Sequence, residues 1–202
     1  MTKRSDEGWR KMRRVYWDLE CGRTKRDSES WPSYQTSCGI SVACVMGEGE
    51  TDLGFYTPND KEPFDLYSLV RVLESADEVV SFNGDRFDTQ VLISTLGLPA
   101  LRIAKSVDLL RVVLAAKGGV RYPEGSWKLD SICKRTLGEG KLLGDGAFAP
   151  QKAREGRWGE LFTYCLGDVK LTRDLFRHIA KYGYIIDPDR RVLEVRVDGA
   201  GG

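Results

Sequence analysis

The sequence contains a single histidine, His178, among its 202 residues, which excludes any mechanism that needs several imidazoles. It also lacks paired cysteines, because the five that are present are odd in number and no two are spaced as CxxC. A disulfide framework or a zinc site is therefore not expected, and reduced thiols are. The cysteines are Cys21, Cys38, Cys44, Cys133 and Cys165.

Long apolar runs are missing as well. No stretch approaches the roughly 18 residues that a membrane span needs. The first 14 residues are charged and have no apolar core of a signal peptide. We therefore expect no membrane association and a cytoplasmic location. A hydrophobic content of 41% and a charged content of 30% are typical of a globular protein, and the length suits one well-packed domain.

The formal net charge of +1 conceals a segregation of charge. Residues 15–101 carry six basic and fifteen acidic side chains, a balance of −9, whereas residues 102–157 carry twelve and six, a balance of +6. This pattern suits an enzyme that holds cations and a polyanion together. The alternative is ordinary solvated surface charge.

The spacing of apolar residues predicts a mixed sheet covered by helices, an α/β architecture. The predicted strands are 13–20, 40–46, 52–57, 78–82 and 106–113, the last turning helical toward Ala116. The predicted helices are 64–75, about 86–96, 129–137 and about 159–182. Residues 22–37 are predicted to be a polar loop and 138–157 a mobile loop, and 185–186 and 192–197 to be additional edge strands.

Two carboxylates share one face of the first predicted strand. Asp18 and Glu20 are two apart and project opposite Val15, Trp17 and Leu19. If the strand is central, this face is covered, and two neighbouring anions there repel each other and lose hydration. The alternative is an edge strand whose outer face is solvated.

Asp168 lies within the apolar stripe of the last predicted helix. That stripe contains Leu161, Tyr164, Leu171 and Leu175. A buried carboxylate without a positive partner costs several kcal/mol, and no Lys or Arg occupies this stripe in the adjacent turns. A divalent cation is the simplest partner, and a salt bridge from elsewhere in the chain is the alternative.

Asp88 is the third unusual acid, because it follows a predicted strand and starts a predicted helix. The carboxyl ends of strands are where α/β sheets place their sites. The alternatives are a helix N-terminal acid favoured by the macrodipole, or capping by Asn83 or Asp85.

These acids belong to three short motifs. Residues 18–20 read Asp-x-Glu, residues 83–88 read Asn-x-x-x-Phe-Asp, and residues 164–168 read Tyr-x-x-x-Asp. In this order they resemble the three exonuclease motifs of the DEDD superfamily, the DnaQ-like group that includes proofreading exonucleases and RNase D. The resemblance spans about residues 13–182, most of the chain.

The resemblance implies an RNase H-like fold, with a mixed sheet of about five main strands flanked by helices on both faces. It places a single 3′→5′ exonuclease domain at 13–186. A basic lead, 1–12, would precede this domain, and a C-terminal extension with a flexible tail, 187–202, would follow it.

The subtype follows from the third motif. Histidine-type members place His five residues before the last Asp, where this chain has Thr163. Tyrosine-type members place Tyr four residues before it, and Tyr164 stands there. One helical turn separates Tyr164 from Asp168, so the hydroxyl can point into the same site. His178 lies ten residues beyond Asp168 and is expected to be structural.

The resemblance also implies two divalent ions, Mg²⁺ or Mn²⁺. Asp18 would bridge both, Glu20 and Asp168 would hold the first, and Asp88 would reach the second partly through water. Carboxylate oxygens suit these ions, and two of them about 3.5–4 Å apart support phosphodiester hydrolysis. Tyr164 would orient the attacking water, since a phenol of pKa about 10 guides water better than it acts as a base.

Substrate contacts are expected from aromatic and basic side chains near the motifs. Aromatic residues can stack on terminal bases, and basic ones can contact phosphates. Core packing and solvated loop charge are the respective alternatives. Asp108 is either a fifth acid of the site or a helix cap. The candidate substrate-binding residues are Leu19, Trp31, Asn83, Phe87, Lys141 and Arg157.

The predicted activity is hydrolysis from the 3′ end of single-stranded nucleic acid, with DNA favoured and DNA repair as one setting. The same site would also serve a ribonuclease or a structure-selective endonuclease, and a non-catalytic nucleic-acid-binding module of this fold is the other alternative. Stretches such as 127–132 look most like stand-alone or helicase-associated bacterial and phage members. A helicase, polymerase or single-strand-binding partner is expected at the level of the family.

Overall fold

A computed structural model gives the fold of this protein and describes residues 12–49, 53–57, 64–119, 126–140 and 148–197. The strands are β1 (Arg14–Cys21), β2 (Ile40–Gly47), β3 (Leu53–Tyr56), β4 (Glu78–Ser81), β5 (Ser106–Asp108), β6 (Tyr184–Ile186) and β7 (Val192–Glu194). The helices are α1 (Trp31–Gln35), α2 (Phe64–Ser75), α3 (Asp88–Leu96), α4 (Leu109–Ala116), α5 (Leu129–Thr136), α6 (Phe148–Arg154) and α7 (Trp158–Tyr182).

Strand β1 is the centre of a five-stranded mixed sheet of order β3-β2-β1-β4-β5. It pairs antiparallel with β2 and parallel with β4, and β4 pairs parallel with β5. The carboxyl ends of β1, β4 and β5 therefore meet at one edge of the sheet. Because β1 is central, the edge-strand alternative for Asp18 and Glu20 is excluded.

Both faces of the sheet are covered by helices, as the alternation along β1 predicts. Val15, Trp17 and Leu19 are buried on the face that packs against α2 and α3. Tyr16 is buried on the other face, in a core with side chains of α4, α5, α6 and α7. The predicted fold class, an α/β sandwich of about five main strands between helices, is confirmed.

Helix α7 is the longest element, with 25 residues. Its apolar stripe lies against β1 and β2, and it ends at Gly183, whose φ of 75° is the left-handed conformation that favours glycine. The predicted end of this helix at Tyr182 is confirmed, and its predicted start at Gly159 is one residue late. Because its apolar stripe packs on the sheet, the helix directs Asp168, which lies in that stripe, into the core.

Two predicted loops contain helices. Helix α1 lies within the predicted polar loop 22–37, where the Ser30 side chain accepts a hydrogen bond from the Ser33 amide and so caps the helix. Helix α6 lies within the predicted mobile loop 138–157, with Ala149 buried. Both loop predictions were wrong in these parts, because tertiary packing stabilises helices too short to show a clear period.

The segment predicted to begin as a strand at 106 and to turn helical toward Ala116 does so, but the change to helix comes earlier than predicted, at Leu109. Strand β5 stops at Asp108, whose carboxylate accepts hydrogen bonds from the amides of Leu110 (3.0 Å) and Arg111 (3.4 Å). This N-cap starts α4 immediately after the strand. The buried positions 109, 110, 113 and 114 have helical spacing.

The last two strands do not extend the main sheet. β6 and β7 pair antiparallel with each other in a separate two-stranded sheet, which corrects the prediction of edge strands. The chain reverses between them through Arg190, which has a positive φ of 60°. Val195, one residue beyond β7, is buried in the main core. Within the described residues, no helix combines the length and the apolar content that crossing a bilayer requires.

Candidate active site

Asp18 and Glu20 stand near the end of β1 on the face that α7 covers. Both side chains are half-buried. Potential ligand atoms of Asp18, Glu20 and Cys165 all lie within 4.8 Å of one another. Two carboxylates at this separation repel each other unless a cation lies between them.

Cys165 belongs to this group by position but not by chemistry. Its Sγ lies 3.5 Å from the carbonyl oxygen of Asp18, which shows where α7 crosses β1. Burial, together with a hydrogen bond to Cys44 and the charges of Asp18 and Glu20, raises the pKa of the Cys165 thiol well above its ordinary value. A thiol that stays protonated is a poor ligand, and the oxygen donors of the group favour a hard cation.

Asp88 joins the two β1 acids from the next strand. It is the first residue of α3 and only 5% exposed, and its Oδ1 accepts a hydrogen bond from the amide of Leu19 at 3.3 Å. This bond places the Asp88 carboxylate beside the backbone between Asp18 and Glu20. Burial raises the pKa of Asp88 to about 7; the backbone hydrogen bonds oppose this shift, and the charges of Asp108 and Asp168 add to it.

Asp168 completes the cluster from α7. It is buried, and its charge acts on Asp88, as the shift in the pKa of Asp88 shows. Asp18 and Glu20 approach each other within 4.8 Å, Asp88 is linked to them through the Leu19 amide, and Asp168 is near enough to Asp88 for its charge to act on it. Their oxygen donors fit Mg²⁺ or Mn²⁺, which prefer carboxylates. We define this set of Asp18, Glu20, Asp88 and Asp168 as the acidic cluster.

Tyr164 is buried one turn before Asp168 on the same helix. Its ring packs against that of Phe148 from α6, with centroids 5.1 Å apart. The ammonium of Lys152 lies 5.0 Å from the centre of the Phe148 ring. Phe148 was missed at the level of sequence because it falls in the predicted mobile loop, and only its aromatic character hinted at a packed position.

The turn between β4 and α3 sets the position of Asp88. Asn83 adopts a positive φ of 69°, and its amide donates to Oδ1 of Asp108 at 2.8 Å. Asp108 thus links this turn to the start of α4, and of its two predicted roles the structure shows that of a cap. Gly84 follows, and a Cβ built there would lie 2.5 Å from Cβ of Ser81 and 3.6 Å from Oδ2 of Asp88.

Replacing Gly84 by alanine is therefore expected to destabilise the protein by about 1–3 kcal/mol, the usual cost of overpacking a tight site. The melting temperature, measured by thermal denaturation, should fall by about 2–12 °C. Gly159→Ala is the matched control, since the added Cβ meets no heavy atom within 4 Å apart from its chain neighbours and the backbone of its own helix. Adding Ser81→Gly to Gly84→Ala should restore most of the loss, and additive effects of the two changes would contradict the proposed clash.

Three aromatic rings form a cluster beside the acids. Trp31 and Tyr34 from α1 lie 6.0 Å from the ring centroid of Phe87, the residue that precedes Asp88. Trp31 is 60% exposed, whereas Tyr34 is buried. The ammonium of Lys25 lies 5.5 Å from the centre of the Trp31 ring. We call Trp31, Tyr34 and Phe87 the aromatic cluster.

Helix α1 is attached to the site by more than ring contacts. The side-chain amide of Gln35 donates a hydrogen bond to the carbonyl oxygen of Arg86, next to Phe87. The hydroxyl of Tyr34 donates to the carbonyl oxygen of Arg23 at 2.6 Å. The Gln35 bond joins α1 to the β4–α3 turn, and the Tyr34 bond joins α1 to the start of its own segment. No sequence signal indicates the contact with the turn.

The other predicted substrate contacts have different surroundings. The side chain of Leu19 is buried in the core on the face opposite Asp18, and only its amide reaches the site. Arg157 forms ion pairs with Glu155 and Glu160 on either side of it. Lys141 lies outside the described residues, as do nearly all of the basic lead and the end of the predicted flexible tail. Substrate binding by these residues stays a prediction.

Comparison with known proteins bears on the fold. No protein-family model matches the sequence, and no curated protein matches it either. A solved structure with a similar fold is the family B DNA polymerase from the hyperthermophilic archaeon Pyrobaculum calidifontis, with a TM-score of 0.63, 16% identity and 83% of this chain covered. The match covers 24% of the polymerase chain, so this protein shares its fold with about a quarter of that enzyme.

Proposed function

We propose that this protein is a metal-dependent 3′→5′ exonuclease that hydrolyses phosphodiester bonds at the 3′ end of single-stranded nucleic acid. The observation that carries the proposal is the convergence of the acidic cluster at one end of a central strand. Four carboxylates in a largely buried site have little purpose in a structural domain, because their mutual repulsion destabilises it.

In this proposal Asp18, Glu20, Asp88 and Asp168 hold Mg²⁺ or Mn²⁺. Two such ions, when bound, would supply a water of lowered pKa and positive charge for the reacting phosphate and the leaving oxygen. Asp88 is held in place by the Leu19 amide, and Asp168 by its helix. Tyr164, positioned by the Phe148 ring, orients the attacking water by hydrogen bonding.

The aromatic cluster is the proposed site for the terminal bases. The exposed Trp31 ring and the half-buried Phe87 ring offer flat apolar surfaces next to Asp88. Stacking on such rings tolerates any base, which suits an exonuclease that acts on many sequences. DNA is the favoured substrate, because the solved structure of similar fold belongs to a DNA polymerase.

The test is a panel of end-labelled substrates incubated with the full chain and Mg²⁺ or Mn²⁺. Single-stranded DNA labelled at its 5′ end should shorten in single-nucleotide steps, and a 3′-phosphate or a blocked 3′ end should slow the reaction. Chelation by EDTA should abolish it. One internal cut would instead indicate an endonuclease, and degradation of RNA alone would indicate a ribonuclease with the same site.

Replacing Trp31 by alanine is expected to raise KM for single-stranded DNA by about tenfold, since each stacked base contributes about 1–3 kcal/mol. The value of kcat should change little, because Trp31 does not belong to the acidic cluster. Tyr182→Ala is the matched control: this ring is also exposed, but it lies 14 residues beyond Asp168 on α7, or about 21 Å along the helix. Equal KM values for Trp31→Ala and the control would remove Trp31 from the binding surface.

A further inference from the structure

Two cysteines lie at the base of the segment that carries the aromatic rings of α1. Cys21 is the last residue of β1, and Cys38 stands two residues before β2. Their Sγ atoms are 3.0 Å apart, and both thiols are free. The two residues are 8% and 4% exposed. The 16 residues between them, 22–37, include α1.

Backbone hydrogen bonds already join the two chain segments that carry this pair. The Gly22 amide donates to the Gly39 carbonyl oxygen at 3.2 Å, and Cys21 pairs with Ile40 at an irregularity in the β1–β2 register. The hydroxyl of Ser41 contacts the carbonyl oxygens of Glu20 and Cys21 at 3.0 and 3.2 Å. Forming a disulfide bond of about 2.05 Å needs an approach of only about 1 Å between the two sulfur atoms.

We propose that Cys21 and Cys38 are a redox-active pair that forms a reversible disulfide and closes residues 22–37 into a covalent loop. The oxidant is a peroxide. Hydrogen peroxide oxidises one thiol to a sulfenic acid and is reduced to water. The second sulfur then attacks the sulfenic sulfur, the S–S bond forms, and a second water leaves with the remaining thiol proton. A small dithiol reverses the reaction by thiol–disulfide exchange.

Cys38 is the thiol that is oxidised first. The hydrogen bond from Cys21 and the charge of Arg23 lower the pKa of Cys38, against the effect of burial. Cys38 also follows exposed residues, Thr36 and Ser37, so a small local opening of the segment admits peroxide. Cys21 lies within the β1–β2 ladder and is the resolving partner.

A second pair of neighbouring cysteines provides a comparison within the same protein. Cys44 on β2 and Cys165 on α7 are also neighbours, and both are fully buried within the core. They do not flank a surface segment, and reaching them requires α7 to separate from the sheet. Peroxide is therefore expected to leave this second pair reduced while the first pair reacts.

The disulfide restrains the segment that holds Trp31 and Tyr34 against Phe87. Its formation does not depend on the proposed nuclease function. Its effect on substrate rests on that function, because only then does the aromatic cluster bind DNA. We expect the oxidised protein to keep the cluster assembled at temperatures where the reduced protein begins to open it.

The experiment treats the reduced full chain with a small excess of hydrogen peroxide and then blocks free thiols. Peptide mapping should show the peptide that contains Cys21 linked to the one that contains Cys38, with the loss of two hydrogen atoms. The melting temperature should rise by about 6 °C or more, as closure of a loop of this length predicts. Dithiothreitol should reverse both changes.

Cys38→Ser should abolish the link and the rise in melting temperature, whereas Cys44→Ser should leave both unchanged. Absence of the Cys21–Cys38 link, a link through Cys44 or Cys165 instead, or an unchanged melting temperature of the linked protein would overturn the proposal. None of these measurements uses nuclease activity, so failure of the pair is distinguishable from failure of the proposed function.

Discussion

Replacing Asp18 by alanine is expected to reduce metal-dependent hydrolysis by at least about a thousandfold. The reason is that Asp18 belongs to the acidic cluster, with a potential ligand atom within 4.8 Å of one of Glu20 and its backbone carbonyl at the point where α7 crosses β1. Metal ions supply several kcal/mol of charge stabilisation in phosphodiester hydrolysis, and a thousandfold loss corresponds to about 4 kcal/mol. The measurement is the initial rate on labelled single-stranded DNA with saturating Mg²⁺ or Mn²⁺.

Asp189→Ala is the control for this change. Asp189 is exposed in the turn between β6 and β7, away from the acidic cluster, and its loss should leave the rate unchanged. The Asp18→Ala variant should keep its fold, which thermal denaturation in EDTA can verify. If a folded Asp18→Ala variant hydrolysed DNA at the wild-type rate, the acidic cluster would have no part in the reaction.

Replacing Asp88 by asparagine is expected to stabilise the metal-free protein at neutral and higher pH by about 2–4 kcal/mol. The pKa of Asp88 is raised from 3.8 to about 7 in the folded protein, mainly by burial. Each pKa unit corresponds to about 1.36 kcal/mol, so the gap sets an upper limit near 4 kcal/mol. The asparagine oxygen still accepts the hydrogen bond from the Leu19 amide.

The sign of this effect follows from proton binding. Between pH 3.8 and about 7 the folded protein holds a proton on Asp88 that the unfolded chain has lost. The stability that the protonated Asp88 carboxyl contributes to the wild-type protein is therefore fully present below pH 3.8. It is lost as the pH rises through about 7. In EDTA, Asp88→Asn and the wild type should have nearly equal melting temperatures at low pH. The variant should melt at a higher temperature above neutrality, where the difference is largest.

Asp189→Asn serves as the control, because it makes the same change at an exposed position. Excess Mg²⁺ should reduce the difference, since a ligand that binds only the folded wild type stabilises it. A difference between Asp88→Asn and wild type that does not change with pH would contradict the raised pKa.

The parts of the fold that could be predicted from the sequence are those with a local period. The alternation of residues 15–20 identifies β1, and the three- and four-residue steps in 161–175 identify α7. These two elements carry three of the four acids. The motif spacing then indicates that the β4–α3 junction supplies the fourth.

The elements that could not be predicted depend on contacts distant in sequence. Helices α1 and α6 have five and seven residues, too few to show a period, and they are stabilised by packing against Phe87 and Tyr164. The boundary between β5 and α4 depends on one cap, Asp108. An aspartate before apolar residues with helical spacing was the signal that could have revealed it.

The role of the four acids stays a prediction, and the contacts that surround them were not predicted. Nothing in the sequence brings Cys21 to Cys38 or Cys165 to Asp18, because these contacts arise from the β1–β2 register and from the crossing of α7 over the sheet. The aromatic cluster likewise needs α1 to fold back onto the β4–α3 turn. The motifs indicate which residues could hold a metal ion. The contacts that surround these residues require the tertiary structure.

The long separation between the segments of the site has a consequence for how the protein folds. Cys165 contacts Asp18 across 147 positions in sequence, so α7 docks only after a very large loop has closed. An intermediate with only the β1–β2 hairpin would hold two carboxylates and bind divalent ions weakly. Tight uptake of Mn²⁺ during refolding would therefore mark the final kinetic phase, in which the two ends of the domain meet.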